Sequence, residues 1–429
     1  MSAKTSTLHA AVPISSWSHL AREMPPCAMR VAIIHYWLTN MRGGEKVLEQ
    51  ICEMFPEADI FTHVYDEKGV SDRIRKHRVN TTLIQSLPFA QKHYPYYLSL
   101  MPQALEQLDL SEYDLVISSE AGPAKGVITR PDSLHICYCH SPMRYIWDQY
   151  GQYFRQAGWM SRLGMLAFGQ SLRSWDVTSA ARVDHFIANS NAVAMRIQKF
   201  WRRKAEVIPP PVDTARYKPN GDRGEFYLYV GEFVPYKRAD LAIEACTKLG
   251  RRLIVIGDGN GVAGLKKIAG PTIEFLGRVP NQVLADHYAN CKALLFPAEE
   301  DFGIVPVEAL ASGAPVIAFH RGGAKDYVSP GENGVFFDEQ TIPSLVNAMM
   351  RFEAVADGFD PYAISRGASY FDTPQFIRRM QNAILEQMSL RADQRKWIGQ
   401  LRDRWAKVDQ RIAPQSASDV MDAMDEASA

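Results

Sequence analysis

The sequence predicts an α/β protein made of two doubly wound domains that face each other across a cleft, and three observations carry that prediction. From Met29 onward, short continuous apolar runs alternate with amphipathic stretches, the pattern of parallel strands covered on both faces by helices. The rhythm breaks once, at Ile208-Pro209-Pro210-Pro211-Val212-Asp213, because three consecutive prolines can join neither helix nor sheet ladder. A chain of 429 residues, 46% hydrophobic and 22% charged, can bury a large core in two or three domains.

In chain order, residues 1–28 are polar and uneven, with no apolar stretch long enough for a signal peptide or a membrane span, and read as a flexible leader. Strands are predicted at 30–34, 59–62, 114–118, 134–138 and 185–188, giving a first domain over 29–208. The linker is placed at 209–219. A second series of strands, at 226–230, 252–256, 272–275, 293–296, 315–318 and 335–337, alternates with helices such as 240–249 and 282–289, giving a second domain over 220–370. Residues 371–414 read as C-terminal helices that cross back to the first domain, and 415–429 as a disordered tail. Within them, 391–411 is basic and amphipathic, with Trp397, Leu401 and Trp405 at helical spacing, which fits either packing on its own domain or contact with anionic lipid. Ligands of open α/β sheets bind outside the carboxyl ends of the strands, so a ligand belongs in the cleft.

Charge excludes one class of partner. Lys+Arg and Asp+Glu are equal at 48 each, so no net field draws the chain to nucleic acid, and any anion must be met locally. Of six cysteines only Cys137 and Cys139 lie close together, without zinc or redox spacing, and they read as free thiols in a reducing cytoplasm. Neither a Gly-x-Gly-x-x-Gly fingerprint nor a Gly-Lys-Ser/Thr phosphate loop is present, so nicotinamide and ATP chemistry lose ground. No Asp-x-Asp pair stands at a strand end to bridge phosphates through a divalent ion, so neither a metal nor a cofactor is expected.

Four short runs carry chemistry. Glu300-Asp301-Phe302-Gly303-Ile304-Val305-Pro306-Val307-Glu308 follows an apolar run and reads as a turn into a proline-started helix ending near Gly313, with a carboxylate on each side of the helix start. Unpaired N–H groups and partial positive charge at such a start favour a phosphate. Gly231 to Arg238 follows the first strand of the second domain, with Lys237 as a point charge and Arg238 as a two-pronged donor for a diphosphate. Arg42-Gly43-Gly44-Glu45 follows the first strand of the first domain, where glycines let a backbone approach a ligand. Tyr138-Cys139-His140-Ser141-Pro142-Met143-Arg144-Tyr145 turns at Pro142 and directs His140 at the cleft, with Arg144 beside it to hold a phosphate or pair with an acid such as Asp148. Three of these runs alone also have an ordinary reading: a capping and a solvated acid, an exposed Lys-Arg pair, a structural histidine.

Together these runs resemble the retaining GT-B glycosyltransferases numbered family 4 (group 1). The match runs from Gly257-Asp258-Gly259 through Phe275-Leu276-Gly277-Arg278-Val279-Pro280, Glu300 to Glu308 and Ala309 to Ile317, to Gly331-Glu332-Asn333-Gly334, with order and spacing in agreement. It spans roughly 29–390, more closely in the second domain. The resemblance implies the GT-B fold, two Rossmann-like domains facing a central cleft, and binding of a nucleotide-sugar donor. It implies that Lys237 neutralises the donor diphosphate with the backbone of Gly303, Ile304 and Val305, that Glu308 holds the ribose, and that Glu300 holds the transferred sugar. It further implies that Arg278 and Val279 meet the base, that Gly43 and Gly44 close on the diphosphate, and that His140 contacts the sugar. Glu232 stands where the family has arginine, and Arg238 is expected to supply the missing cation.

His35-Tyr36-Trp37-Leu38 with Arg42-Gly43-Gly44-Glu45-Lys46, and His140-Ser141-Pro142-Met143-Arg144-Tyr145-Ile146-Trp147-Asp148, resemble a narrower group, bacterial O-antigen and exopolysaccharide mannosyltransferases that use GDP-mannose. That implies a saccharide acceptor carried on a polyprenyl diphosphate, with Arg144 and Tyr145 on the acceptor side, and a place in the cytoplasm with peripheral contact to the inner membrane. Arg73-Ile74-Arg75-Lys76-His77-Arg78 and the aromatics Phe89, Tyr94, Tyr96 and Tyr97 with Lys92 and His93 are the expected membrane-facing residues. Two alternatives stay open: a nucleotide-sugar epimerase of the same fold, and a non-catalytic sugar-nucleotide-binding subunit.

Overall fold

The computed structural model describes residues 28–412, so the expected leader, apart from Ala28, and the expected tail lie outside the described residues. Seven strands form the first sheet: β1 (Val31–His35), β2 (Asp59–Thr62), β3 (Val79–Thr81), β4 (Leu115–Glu120), β5 (Leu134–Cys139), β6 (His185–Ala188) and β7 (Glu206–Val207). Six form the second: β8 (Phe226–Val230), β9 (Arg252–Ile256), β10 (Ile273–Gly277), β11 (Ala293–Phe296), β12 (Val316–Phe319) and β13 (Gly334–Phe337). All pairings are parallel, in the orders β3-β2-β1-β4-β5-β6-β7 and β10-β9-β8-β11-β12-β13.

Every residue of β1, β4 and β5 is buried, because helices cover both faces of the sheet and leave no side of these strands in water. β3 and β7 have no counterpart among the predicted strands. They are polar edge strands of three and two residues, and so carry no apolar run. Both sheets reverse their strand order at one place, between β1 and β4 and between β8 and β11. At such a switch point neighbouring crossovers leave on opposite faces, and a crevice opens at the carboxyl ends of the two strands.

The C-terminal helices Thr373–Leu390 and Ile398–Ile412 return to the first domain. Phe376, Met380, Ile384, Trp397, Leu401 and Trp405 share one buried cluster with β1, β4 and β5, and the Trp405 indole donates to the Met54 carbonyl at 3.1 Å. The apolar face of the basic C-terminal segment is therefore spent on the protein's own core. The two passages of chain between domains run side by side, with Val212 N–H donating to the Phe371 carbonyl at 2.9 Å.

Candidate active site

The residues that follow β1, β5, β6, β8 and β11 converge on one cavity of about 430 Å³ between the domains. It is lined from the first domain by Tyr36, Gly43, Gly44, His140 and Arg144, and from the second by Lys237, Glu300, Gly303, Ile304 and Val305. Two helices start there. Gly43–Met54 begins with Arg42 N–H donating to Glu45 Oε2 at 2.8 Å, and Glu45 is buried against His35. Burial alone would raise the Glu45 carboxyl, but its bond with His35 holds it below the ordinary value. Ile304–Ala311 begins after Gly303, whose φ of +88° favours glycine, and a Cβ there would stand 2.9 Å from both Phe296 and the Tyr327 hydroxyl. At Gly44 the constraint is space: a Cβ would lie 2.2 Å from the Tyr36 hydroxyl. The two helix starts thus bring free N–H groups and positive potential from both domains to one cleft.

Lys237 Nζ stands 3.0 Å from Glu300 Oε1, both mostly shielded from solvent. Burial would lower the lysine, and the neighbouring Glu300 carboxylate more than offsets this, holding the ammonium above its ordinary range. His140 lies 2.8 Å through Nε2 from Ser119 Oγ at the end of β4, and its loop is fixed by His140 N–H donating to the Glu120 carbonyl at 2.7 Å. Burial pushes its imidazole down to about 3, so it is neutral near pH 7. The Lys237 ammonium, a neutral imidazole and two helix starts can hold a diphosphate and stabilise negative charge growing on it.

Other expected site residues fall elsewhere. Arg238 does not line the cavity: its guanidinium is held by Asp240 at 2.8 Å, so the expectation that it supplies the missing diphosphate cation is corrected. Glu232 instead faces Arg42 of the first domain at 4.0 Å, which gives the carboxylate a partner of its own. Glu308 is buried behind the helix start, accepting from the Tyr288 hydroxyl at 3.1 Å and lying 3.6 Å from Lys46 Nζ of the first domain. Arg278 is exposed and pairs with Asp258 at 3.6 Å, and Val279 packs beside the second-domain core. Arg144 reaches Asp301 Oδ1 at 3.2 Å and Asp148 at 3.5 Å, while Tyr145 lines a different, apolar cavity.

Sequence reasoning missed the interdomain latch around Arg144. Arg196 pairs with Asp301 and, at 3.1 Å, with Asp148, and the Ser190 hydroxyl donates to the Asp301 carbonyl at 2.6 Å. Nothing local marks Arg196, since neither Asp148 nor Asp301 is near it in sequence. Lys46 stood inside a quoted motif, but only packing reveals that it reaches Glu308. Among the described residues, no group of three or more His, Cys, Asp or Glu is placed to hold a metal ion.

The partly buried His140 shares with the buried His63 and His135 a lowered imidazole, and the three together predict acid sensitivity. Burial lowers His63 to about 4 and His135 and His140 to about 3, from an ordinary 6.5. Below 6.5 the unfolded chain takes up protons that the folded chain refuses, so these groups weaken the fold as pH falls toward 4. Glu120, raised to about 7, has the opposite sign but is one group against three. The thermal midpoint is expected to fall between pH 6.5 and 4.5, and a flat profile across that window would contradict the assignment.

Two Rossmann-like sheets, each giving the crevice at its own switch point to a shared cleft, define the GT-B class. The comparisons agree. Residues 41–216 match the family described as Glycosyltransferase Family 4, and residues 214–356 match Glycosyl transferases group 1. The chain belongs to these group 1, family 4 glycosyltransferases. It is 28% identical over 210 residues to a GDP-mannose-dependent alpha-mannosyltransferase of Mycolicibacterium smegmatis, covering 45% of this chain and 56% of that protein. It is 31% identical over 161 residues to an uncharacterized glycosyltransferase of Methanocaldococcus jannaschii, covering 36% of this chain and 46% of that one. The chain spans about half the length of the curated relatives it matches. Its fold is that of Anabaena HepE in complex with UDP, with a TM-score of 0.63 and 17% identity over 83% of this chain and 99% of that one.

Proposed function

We propose that the protein is a retaining, metal-independent hexosyltransferase that moves mannose from GDP-mannose to a lipid-linked saccharide in bacterial surface polysaccharide synthesis. The observation that carries the transferase reading is the single cavity where Lys237, Glu300, His140 and two helix N-termini meet. Departure of a nucleoside diphosphate leaves negative charge on its phosphate, beside Lys237 and the N–H groups at Gly303 to Val305. The cationic sugar carbon then sits near Glu300 and the neutral His140. For retention, the acceptor attacks from the side of the leaving group and passes its proton to a phosphate oxygen. A covalent glycosyl-enzyme would need Glu300 as nucleophile, yet Glu300 is engaged by Lys237 at 3.0 Å. The mannose and GDP assignments rest on the motifs around Gly43 and His140 and on the similarity to GDP-mannose-dependent relatives.

No helix among the described residues is long and apolar enough to cross a membrane. We place the protein in the cytoplasm, touching the inner membrane from its cytoplasmic face to reach a polyprenyl-diphosphate-linked acceptor. The test is a donor screen of GDP-mannose, UDP-glucose and UDP-N-acetylglucosamine, read by nucleotide release and by thermal shift. GDP-mannose is expected to give the largest of both. A larger response to a uridine donor would overturn the sugar assignment, and donor isomerised without any acceptor would indicate an epimerase.

A further inference from the structure

A second cavity, of about 580 Å³, lies in the first domain beside the transfer cleft. Its walls include Trp37, Leu98, Ile146, Met165, Phe168 and Leu172, and no Asp, Glu, Lys or Arg lines it. It adjoins the cleft: Tyr153 lines both, and the chain steps from Tyr36 and Arg144 on the cleft side to Trp37 and Tyr145 on the apolar side. The Tyr145 hydroxyl is buried with no hydrogen-bond partner. Over this cavity runs the helix Trp159–Ala180, whose first half exposes Trp159 (76%), Leu163 (61%) and Leu166 (65%). Soluble proteins seldom leave such a contiguous apolar surface uncovered.

We propose that this cavity takes the hydrocarbon chain of an amphiphilic acceptor, whose head then reaches the transfer cleft past Tyr153, and that the exposed helix half admits the chain from a lipid surface. The inference rests on the glycosyl-transfer reading and adds to it the place and chemistry of the acceptor's tail. Charge argues for this occupant. Residues 149–175 contain Arg155, Arg162 and Arg173 but no Asp or Glu, a composition that attracts phosphate headgroups while Trp and Leu enter the acyl boundary. A second copy of the chain would, in a two-fold interface, set these like charges against one another. The basic run 73–78, expected to face the membrane, is partly neutralised within the fold: Arg73 pairs with Glu53 at 2.7 Å and Arg75 with Asp72.

Gly164 gives a specific test. It lines the cavity, and a Cβ built on it meets nothing within 4 Å, so Gly164→Phe starts from open space and places its ring to compete for the cavity. In calorimetric titrations of the full chain, farnesyl diphosphate is expected to bind at least about tenfold tighter than inorganic diphosphate. Gly164→Phe should abolish that difference while leaving GDP binding unchanged. Equal affinity of the two diphosphates, or an advantage that survives Gly164→Phe, overturns the proposal. A second measurement does not depend on that variant folding: Leu163→Asp with Leu166→Asp should cut co-sedimentation with phosphatidylglycerol/phosphatidylethanolamine vesicles at least about fivefold. Unchanged co-sedimentation, or a dimer that the same substitutions dissociate, overturns it as well. Failure of every donor in the nucleotide-release screen would sink the transferase reading instead, and leaves the comparison of the two diphosphates standing as a separate result.

Discussion

Lys237→Ala is expected to lower kcat/KM for sugar transfer by ~10²–10³-fold, the usual cost of removing one preorganised group that stabilises transition-state charge. The ammonium is the one cation among the cavity-lining residues not held by two or more acids: Arg144, the other, is engaged by Asp148, Glu299 and Asp301. Because Lys237 also holds Glu300 at 3.0 Å, part of the loss reflects a carboxylate left facing the donor phosphates. The double variant Lys237→Ala/Glu300→Gln separates the two effects, recovering some donor affinity but not the rate. Steady-state kinetics with the donor chosen by the screen provide the readout, and a Lys237→Ala enzyme within tenfold of wild type would remove the lysine from the mechanism.

Asp176→Ala is expected to destabilise the first domain by roughly 3–5 kcal/mol, the cost of leaving a buried charge without its partner. Asp176 is fully buried, pairs with the equally buried Lys125, and accepts from the indoles of Trp147 and Trp201, each at 2.7 Å. Without it, Lys125 keeps Glu120 at 3.7 Å and its place over the Trp201 and Trp175 rings. The effect extends to the cleft, because the Glu120 carbonyl holds the backbone of His140. Thermal melts and denaturant titration measure the loss. A single-variant cost below about 1 kcal/mol would mean that water reaches Lys125, contrary to its burial.

The strands were legible because a parallel strand buried on both faces is apolar along most of its length. Val31 to His35 and Phe226 to Val230 therefore announce themselves, whereas Val79 to Thr81 pairs on one side only and carries polar residues. Gly43, Gly44, His140, Lys237, Glu300 and the start at Gly303 were legible for a related reason. In a doubly wound sheet the residues just after the central strands are committed to the crevice, whatever their partners. Arg238 was misread because a cation near a strand end gives no sign of whether a closer acid, here Asp240 two residues on, will take it.

The sequence by itself determined two parallel sheets and which loops reach the cleft, since these follow from hydrophobic period and strand order within one chain segment. Which groups meet across the cleft was decided only by tertiary structure: Lys46 with Glu308, Arg42 with Glu232, and Arg144 and Arg196 with Asp301. The apolar cavity under the helix Trp159–Ala180 is of the same kind. Its walls come from three separate stretches of chain, and a void is a property of how surfaces fail to fill space, which no local pattern encodes.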